Sequence, residues 1–297
     1  MITLRQLHYF RTLAAVGHFG RAADAVGVSQ PALSMQLKEM EAALGGPLLE
    51  RTASGATLTG LGNEVAHRAA DILAAVHDLE AVAHSRRGVL SGPIHLGVIP
   101  SVAPYLLPRL LARLTAAHPN LSLHVRETVT DALVGELMAG ELDAIIVSLP
   151  LDNDRLAEQA SFADPFLLAA PEGSAHARRK PAIADLIAAE ELLLLEDGHC
   201  LREQALAVCH AIDPRRLRRV GATSLATIVQ LVAAGQGVTL VPRMAIDAGA
   251  VTDPRLRLVP FAKPGPFRTI GVAWRKRSPR ERDFQTLATI MADAAGG

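Results

Sequence analysis

The chain has 297 residues, 49% of them hydrophobic and 20% charged, which is the balance of a globular protein large enough for two or three domains. Formal net charge is zero, so bulk charge announces neither nucleic acid nor a membrane surface. No apolar run reaches the roughly 18 residues of a membrane span, and Met1 to Phe10 lacks the apolar core of a leader, so a cytoplasmic location with no membrane contact is expected.

Leu4, Leu7, Phe10, Leu13 and Ala14 recur at helical spacing and predict a helix over 3–16. An alanine-rich segment over 20–27 predicts a short second helix. Val28-Ser29 is a tight connection, with Ser29 or Gln30 in cap position and Pro31 suited to a first turn. A third helix follows to about Leu44, burying Leu33, Leu37, Met40 and Leu44, and Gly45-Gly46 stops it. Leu48-Leu49 and Thr57-Leu58 around a Ser54-Gly55 turn predict a small β wing.

A helix-turn-helix needs small residues where its helices cross, and Ala22 and Ala23 supply them. It needs polar side chains on the first turns of the second helix to reach base edges in the major groove. Gln30, Ser34 and Gln36 suit that role, Gln pairing well with adenine. Lys38 and Arg51 suit phosphates, which adds affinity rather than sequence choice. A small helical bundle with a polar surface is the alternative. Basic and acidic residues nearly balance over 1–55, so a reader of double-stranded DNA built this way needs help from dimerisation.

A long helix is predicted from Thr59, as cap, to Arg87. Val65, Ala69, Ile72, Val76, Leu79 and Ala83 are spaced 4, 3, 4, 3, 4, a heptad seam that predicts a paired helix. A single helix packed on its own domain is the competing reading.

After Ser91-Gly92-Pro93 the pattern turns to alternating strands and helices. Strands are predicted at His95–Ile99, Ser122–Glu127, Ala144–Ser148, Phe166–Ala170, Leu192–Glu196, Val238–Val241 and Thr269–Trp274, in α/β units around parallel sheets. Leu133–Ser148 and Ile228–Pro242 share one pattern: apolar helix, Ala-Gly, buried strand. Two similar lobes with a cleft between them follow, the chain crossing near Phe162–Pro165 and again near Pro264–Arg268.

The chain contains two cysteines, Cys200 and Cys209, too few for a disulfide scaffold. If 201–212 is one helix, a rise of about 1.5 Å per residue puts their Cα atoms roughly 13 Å apart, whereas a disulfide needs about 4.4–6.8 Å. A bond between them therefore requires unwinding, which is what a redox switch needs. Cys200 is the better nucleophile, near a helix start with His199 and Arg202 beside it, although Glu196, Asp197 and Glu203 oppose them. Three other readings stand. His199, Cys200, Cys209 and His210 form a poorly spaced metal set, both thiols are inert core residues, or the cleft takes an organic effector and the thiols are incidental.

The run Arg21-Ala22-Ala23, Val28-Ser29-Gln30-Pro31-Ala32-Leu33-Ser34, Gln36-Leu37 and Leu44-Gly45 resembles the winged helix-turn-helix of LysR-type transcriptional regulators, and the resemblance extends over the whole chain. Leu195-Glu196-Asp197-Gly198-His199-Cys200-Leu201-Arg202, with Cys209, resembles the peroxide-sensing OxyR branch, as do Ser91–Pro100, Tyr105–Pro108, Ala222–Leu225 and Arg268–Gly271. The resemblance implies a winged reader over 1–58, a dimerisation helix over 59–90, and a regulatory domain over 91–297. That domain would be two Rossmann-like lobes like those of periplasmic binding proteins, lobe I over 91–163 and 268–297 and lobe II over 164–267.

It further implies oxidation of Cys200 by hydrogen peroxide to a sulfenic acid, condensation with Cys209, and reset by cellular dithiol reductants. Ser101 stands where that branch carries Thr. With Thr130, His199 and Arg268 it would wall the peroxide pocket. No metal or cofactor is implied. Promoter DNA and RNA polymerase are the implied partners, with homodimers through the linker helix and homotetramers through the lobes. A ligand-gated regulator and a thiol peroxidase are the other classes, the reader domain opposing the enzyme. Arg219-Val220-Gly221 departs from the branch pattern, and Arg215, Arg216, Arg218 and Arg219 form a basic cluster beside the switch segment.

Overall fold

The computed structural model describes residues 1–52, 55–85, 88–174, 192–196, 202, 204, 218–219 and 221–296. Two compact units arise, Met1–Ala83 with Met138–Glu141, and His84–Leu137 with Leu142–Gly297.

In the first unit, α1 (Leu4–Val16) starts at a capping box. The Thr3 hydroxyl accepts from the Gln6 amide, and the Gln6 side chain accepts from the Thr3 amide, a cap that contributes about 1 kcal/mol. The second helix, α2 (Phe19–Ala25), begins and ends earlier than expected. His18 caps it, its Nδ1 accepting from the Gly20 and Arg21 amides. α3 (Gln30–Leu44) starts where Ser29 accepts from the Ala32 amide, with Pro31 in the first turn, and ends at Gly45 with φ 79°, a left-handed conformation that glycine adopts without strain. Ala22 and Ala23 are buried at the crossing, in one core with Phe10, Leu33, Leu37 and Met40. Strands β1 (Leu49–Thr52) and β2 (Gly55–Leu58) pair antiparallel as the wing.

Helix α4 (Gly60–Ser85) follows, the Thr59 hydroxyl accepting from the Gly62 amide. Its heptad seam divides. Val65 and Ala69 pack into the reader's own core, whereas Ile72 is 46% and Leu79 72% exposed.

The second unit runs β3 (Gly92–Val98), α5 (Ala103–Ala117), β4 (Leu121–Glu127), α6 (Thr130–Met138), β5 (Ala144–Leu149), β6 (Leu156–Pro171), β7 (Leu193–Leu194), β8 (Arg218–Arg219), α7 (Leu225–Ala233), β9 (Thr239–Pro242), α8 (Arg243–Asp247), β10 (Leu256–Pro260), β11 (Phe267–Arg275) and α9 (Glu281–Ala295). The main sheet has the order β10-β6-β11-β5-β3-β4, with β9 also on β6. Both Ala-Gly units appear as expected, Gly140 and Gly235 taking φ 77° and 78° between helix and strand.

Two expectations need correction. The main sheet is mixed rather than parallel. β3 is parallel to β4 and β5, and β7 to β8, but β11 is antiparallel to β5 and β6, and β6 to β9 and β10. The reason is that β6 leads the chain from its pairing with β11 on to β9 and β10, and β11 brings it back alongside β5 and β6. The crossing expected near Phe162–Pro165 falls within β6, which runs unbroken through it. Pro165, which has no N–H to give, lies opposite Phe267 where β6 exchanges β11 for β9 and β10 as partners. Finally, Leu256–Pro260 and the first half of β6 are strands that the apolar pattern did not announce.

Among the described residues no helix is long and apolar enough to cross a membrane. Apart from Arg202 and Gln204, the helix expected over 201–212 lies outside the described residues, as do His199, Cys200, Cys209, Arg215 and Arg216. Only the backbone of Arg51, Arg218 and Arg219 is described.

Candidate effector site and nucleic-acid interface

Val98 and Glu127 are register partners on the parallel strands β3 and β4, and Ser101 and Thr130 each lie three residues further on. Both hydroxyl residues therefore follow the carboxyl ends of neighbouring strands, where open α/β sheets take their ligands. Ser101 does not serve as the cap of α5; Val102 holds that position and makes no side-chain cap bond. Thr130 opens α6, and its Oγ1 is buried with no hydrogen-bond partner. A buried, unpaired hydroxyl costs about 1–3 kcal/mol.

The Ser101 hydroxyl is held by Arg268. Nη1 of Arg268 donates to Ser101 Oγ at 2.8 Å and Nη2 to the Ser101 carbonyl at 3.0 Å. Nε donates to Asp164 Oδ2 at 2.9 Å. The other Asp164 oxygen accepts from the Met244 amide at 3.0 Å, and Met244 Sδ accepts from Arg268 Nη2 at 3.4 Å. The guanidinium also stands 5.8 Å from the Phe166 ring centroid, within cation–π range. One guanidinium thus joins the β3–α5 loop, β6 and the start of α8. Burial holds the Tyr105 phenol above its usual value, opposed by the nearby Arg268 charge and aided by Glu127.

Of the expected pocket residues, Ser101 and Arg268 are in direct contact. Thr130 shares their sheet edge, and His199 and both cysteines lie outside the described residues. Arg202 is buried, and its Nη1 donates to the Leu195 carbonyl at 3.1 Å. Asp164 and Met244 were missed. Asp-Pro usually marks a turn, so Asp164 read as a crossing rather than a strand position. The signal that could have found it is an acid and Arg268 falling at the two crossings of one hinge. No group of three or more His, Cys, Asp or Glu side chains is arranged to hold a metal among the described residues.

In the reader, Ser29 is the cap of α3, and Gln30, Pro31 and Lys38 are exposed along it, with Ser34 half-buried between them. Gln36 points elsewhere: its amide donates to Glu39 Oε2 at 3.0 Å, an oxygen that also accepts from Gln6. Met35, which the sequence reading passed over, is 55% exposed on this helix.

Residues 4–63 match the model of the bacterial regulatory helix-turn-helix protein of the lysR family, and residues 87–296 match that of the LysR substrate binding domain. The chain is 39% identical over 290 residues to the DNA-binding transcriptional dual regulator OxyR of Escherichia coli, covering 98% of this chain and 95% of that one. It is 38% identical over 292 residues to a probable hydrogen peroxide-inducible genes activator of Mycobacterium avium, covering 98% and 94%. A full-length OxyR variant from Pseudomonas aeruginosa superposes with TM-score 0.75 at 34% identity over 98% of both chains. A hydrogen peroxide-bound OxyR variant from Corynebacterium glutamicum superposes with TM-score 0.68 at 34% identity, over 99% and 92%.

Proposed function

The chain belongs to the LysR family of bacterial transcriptional regulators, and on that premise we propose that it is a DNA-binding regulator that senses hydrogen peroxide. Peroxide enters the carboxyl edge of the sheet. It meets the Ser101 hydroxyl, held by Arg268, and the unpaired Thr130 hydroxyl, with His199 completing the wall. Cys200 attacks one peroxide oxygen and becomes a sulfenic acid while the other leaves as water. The Cys209 thiol then displaces a second water and closes the disulfide. Arg202 and His199 favour the thiolate by their charge and donors. Cellular dithiols reverse the bond.

The observation that carries this reading is the pairing of a guanidinium-held hydroxyl with an orphan hydroxyl at one ligand-binding edge. Such a wall suits a ligand as small and polar as a peroxide. The Mycobacterium avium relative, a probable hydrogen peroxide-inducible genes activator, points the same way.

Residues 1–58 serve as reader, 59–90 as linker and 91–297 as regulatory domain, lobe I being 91–163 and 268–297 and lobe II 164–267. The reader binds promoter DNA as a homodimer. Ile72 and Leu79 stay exposed on α4, and an apolar groove of about 330 Å³ lies between Leu4, Leu7, Met40, Val65 and Ile72. A second copy of the linker helix covers both. Tetramers form through the lobes, the protein works in the cytoplasm, and RNA polymerase is the downstream partner.

Footprinting of the full-length protein on promoter DNA tests the reading. Peroxide is expected to shift the footprint, dithiol to restore it, and Cys200→Ser to abolish the shift. An equal response in wild type and Cys200→Ser would instead favour a regulator gated by a small organic or anionic ligand in the cleft.

A further inference from the structure

We propose that Met244 is a second oxidation site, a thioether that takes one oxygen atom from hydrogen peroxide under the direction of Arg268. The inference rests on the reading above that peroxide is seated against Ser101. The same guanidinium that donates to Ser101 Oγ through Nη1 donates to Met244 Sδ through Nη2, at 2.8 and 3.4 Å. Ser101 Oγ and Met244 Sδ are therefore coupled through two nitrogens of one guanidinium. The Met244 amide is pinned to Asp164 Oδ1, the carboxylate that also holds Arg268 Nε, so sulfur and guanidinium are fixed to one support.

Met244 is also reachable. It is half-buried and lines an open cavity of about 80 Å³ with Tyr105, Arg109, Phe162, Asp164 and Pro165. A water needs roughly 10–15 Å³ by a comparable measure, so a molecule of two oxygens fits on the Met244 side of the guanidinium; Ser101 and Arg268 do not line this cavity and bear on it through the Arg268 bond to Met244 Sδ. Met40 and Met291, by contrast, are fully buried, and Met35 stands on the surface of α3.

The step balances without a further reactant. A sulfur lone pair attacks one peroxide oxygen, the S–O bond forms and the O–O bond breaks. The departing oxygen keeps its own proton, takes the one from the attacked oxygen and leaves as water. Sulfur is oxidised by two electrons and peroxide is reduced by two. The Arg268 N–H groups stabilise the leaving oxygen and then the sulfoxide oxygen. A thioether is a weak acceptor, and its sulfoxide is polar and binds the guanidinium more strongly. Dithiols that reset a disulfide do not serve here, since sulfoxide reversal needs a dedicated reductase. Met244 would thus record sustained peroxide exposure at the group that holds Ser101.

Peptide mass spectrometry of the full-length protein over a hydrogen peroxide time course tests this, with exposed Met35 as internal reference. Met244 is expected to gain oxygen about tenfold faster than Met35, the factor one charge-assisted hydrogen bond to the leaving oxygen supplies. The excess persists in Cys200→Ser and is lost in both Ser101→Ala and Arg268→Lys. Met244 oxidising no faster than Met35, or with a rate indifferent to both pocket variants, overturns the inference. Arg268-dependent oxidation of Met244 with Cys200 still reduced in wild type would uphold it while defeating the thiol switch. A Cys200–Cys209 bond beside an unmodified Met244 would do the reverse.

Discussion

Arg268 and Asp164 stand directly opposite each other on β11 and β6, Nε meeting Oδ2 at 2.9 Å with both side chains 1% exposed. The two residues are far apart in sequence and meet only because the chain crosses out on one strand and back on the other. Removing one charge of a buried pair leaves the other uncompensated, at a cost of about 3–5 kcal/mol. Asp164→Ala is expected to lower stability by that amount in urea unfolding. The double variant Asp164→Ala/Arg268→Met should lose less than Asp164→Ala alone, because no charge remains buried.

Thr130 carries the opposite balance. Its buried Oγ1 lacks a partner, so the isosteric Thr130→Val removes an unsatisfied group, which costs about 1–3 kcal/mol where it persists. The variant should be as stable as wild type or more so by thermal unfolding, yet Cys200 should oxidise more slowly. A destabilised variant would mean that the hydroxyl has a structural role.

The sequence made the reader legible almost to the residue. Ser29, Pro31 and Gly45 carry local signals for the cap, first turn and end of α3, and these do not depend on distant partners. His18 escaped because imidazole is an unusual cap. In the second unit, buried strands such as β5 announced themselves by continuous apolar runs. The first half of β6 did not, because Ala157–Ala163 holds only half-buried and exposed positions with few large apolar side chains. Asp164 became readable only through register with Arg268, and Met244 only through its bond to the same guanidinium. Gln36, chosen for its type and place, turns to Glu39 instead of standing free for DNA.

DNA titrations separate the roles along α3. Lys38→Ala should weaken specific and non-specific DNA alike and reduce the salt slope by about one counterion. Gln30→Ala should instead lose about 1–3 kcal/mol of preference between promoter and altered sequence. Gln36→Ala should change promoter binding less than Gln30→Ala does.

The exposed half of the α4 seam predicts an assembly defect without a folding defect. Leu79→Glu, at a position 72% exposed, should leave helix content unchanged by circular dichroism. Light scattering should show loss of the dimer, and promoter affinity should fall with it. A dimer that survives both Leu79→Glu and Ile72→Glu would place the pairing surface elsewhere.

The most direct measurement is thiol state by alkylation and mass spectrometry after about one equivalent of hydrogen peroxide, the stoichiometry of a single thiol-to-disulfide conversion. In wild type the account predicts a Cys200–Cys209 disulfide. In Cys209→Ser it predicts a trapped Cys200 sulfenic acid. Two free thiols in peroxide-treated wild type would contradict it.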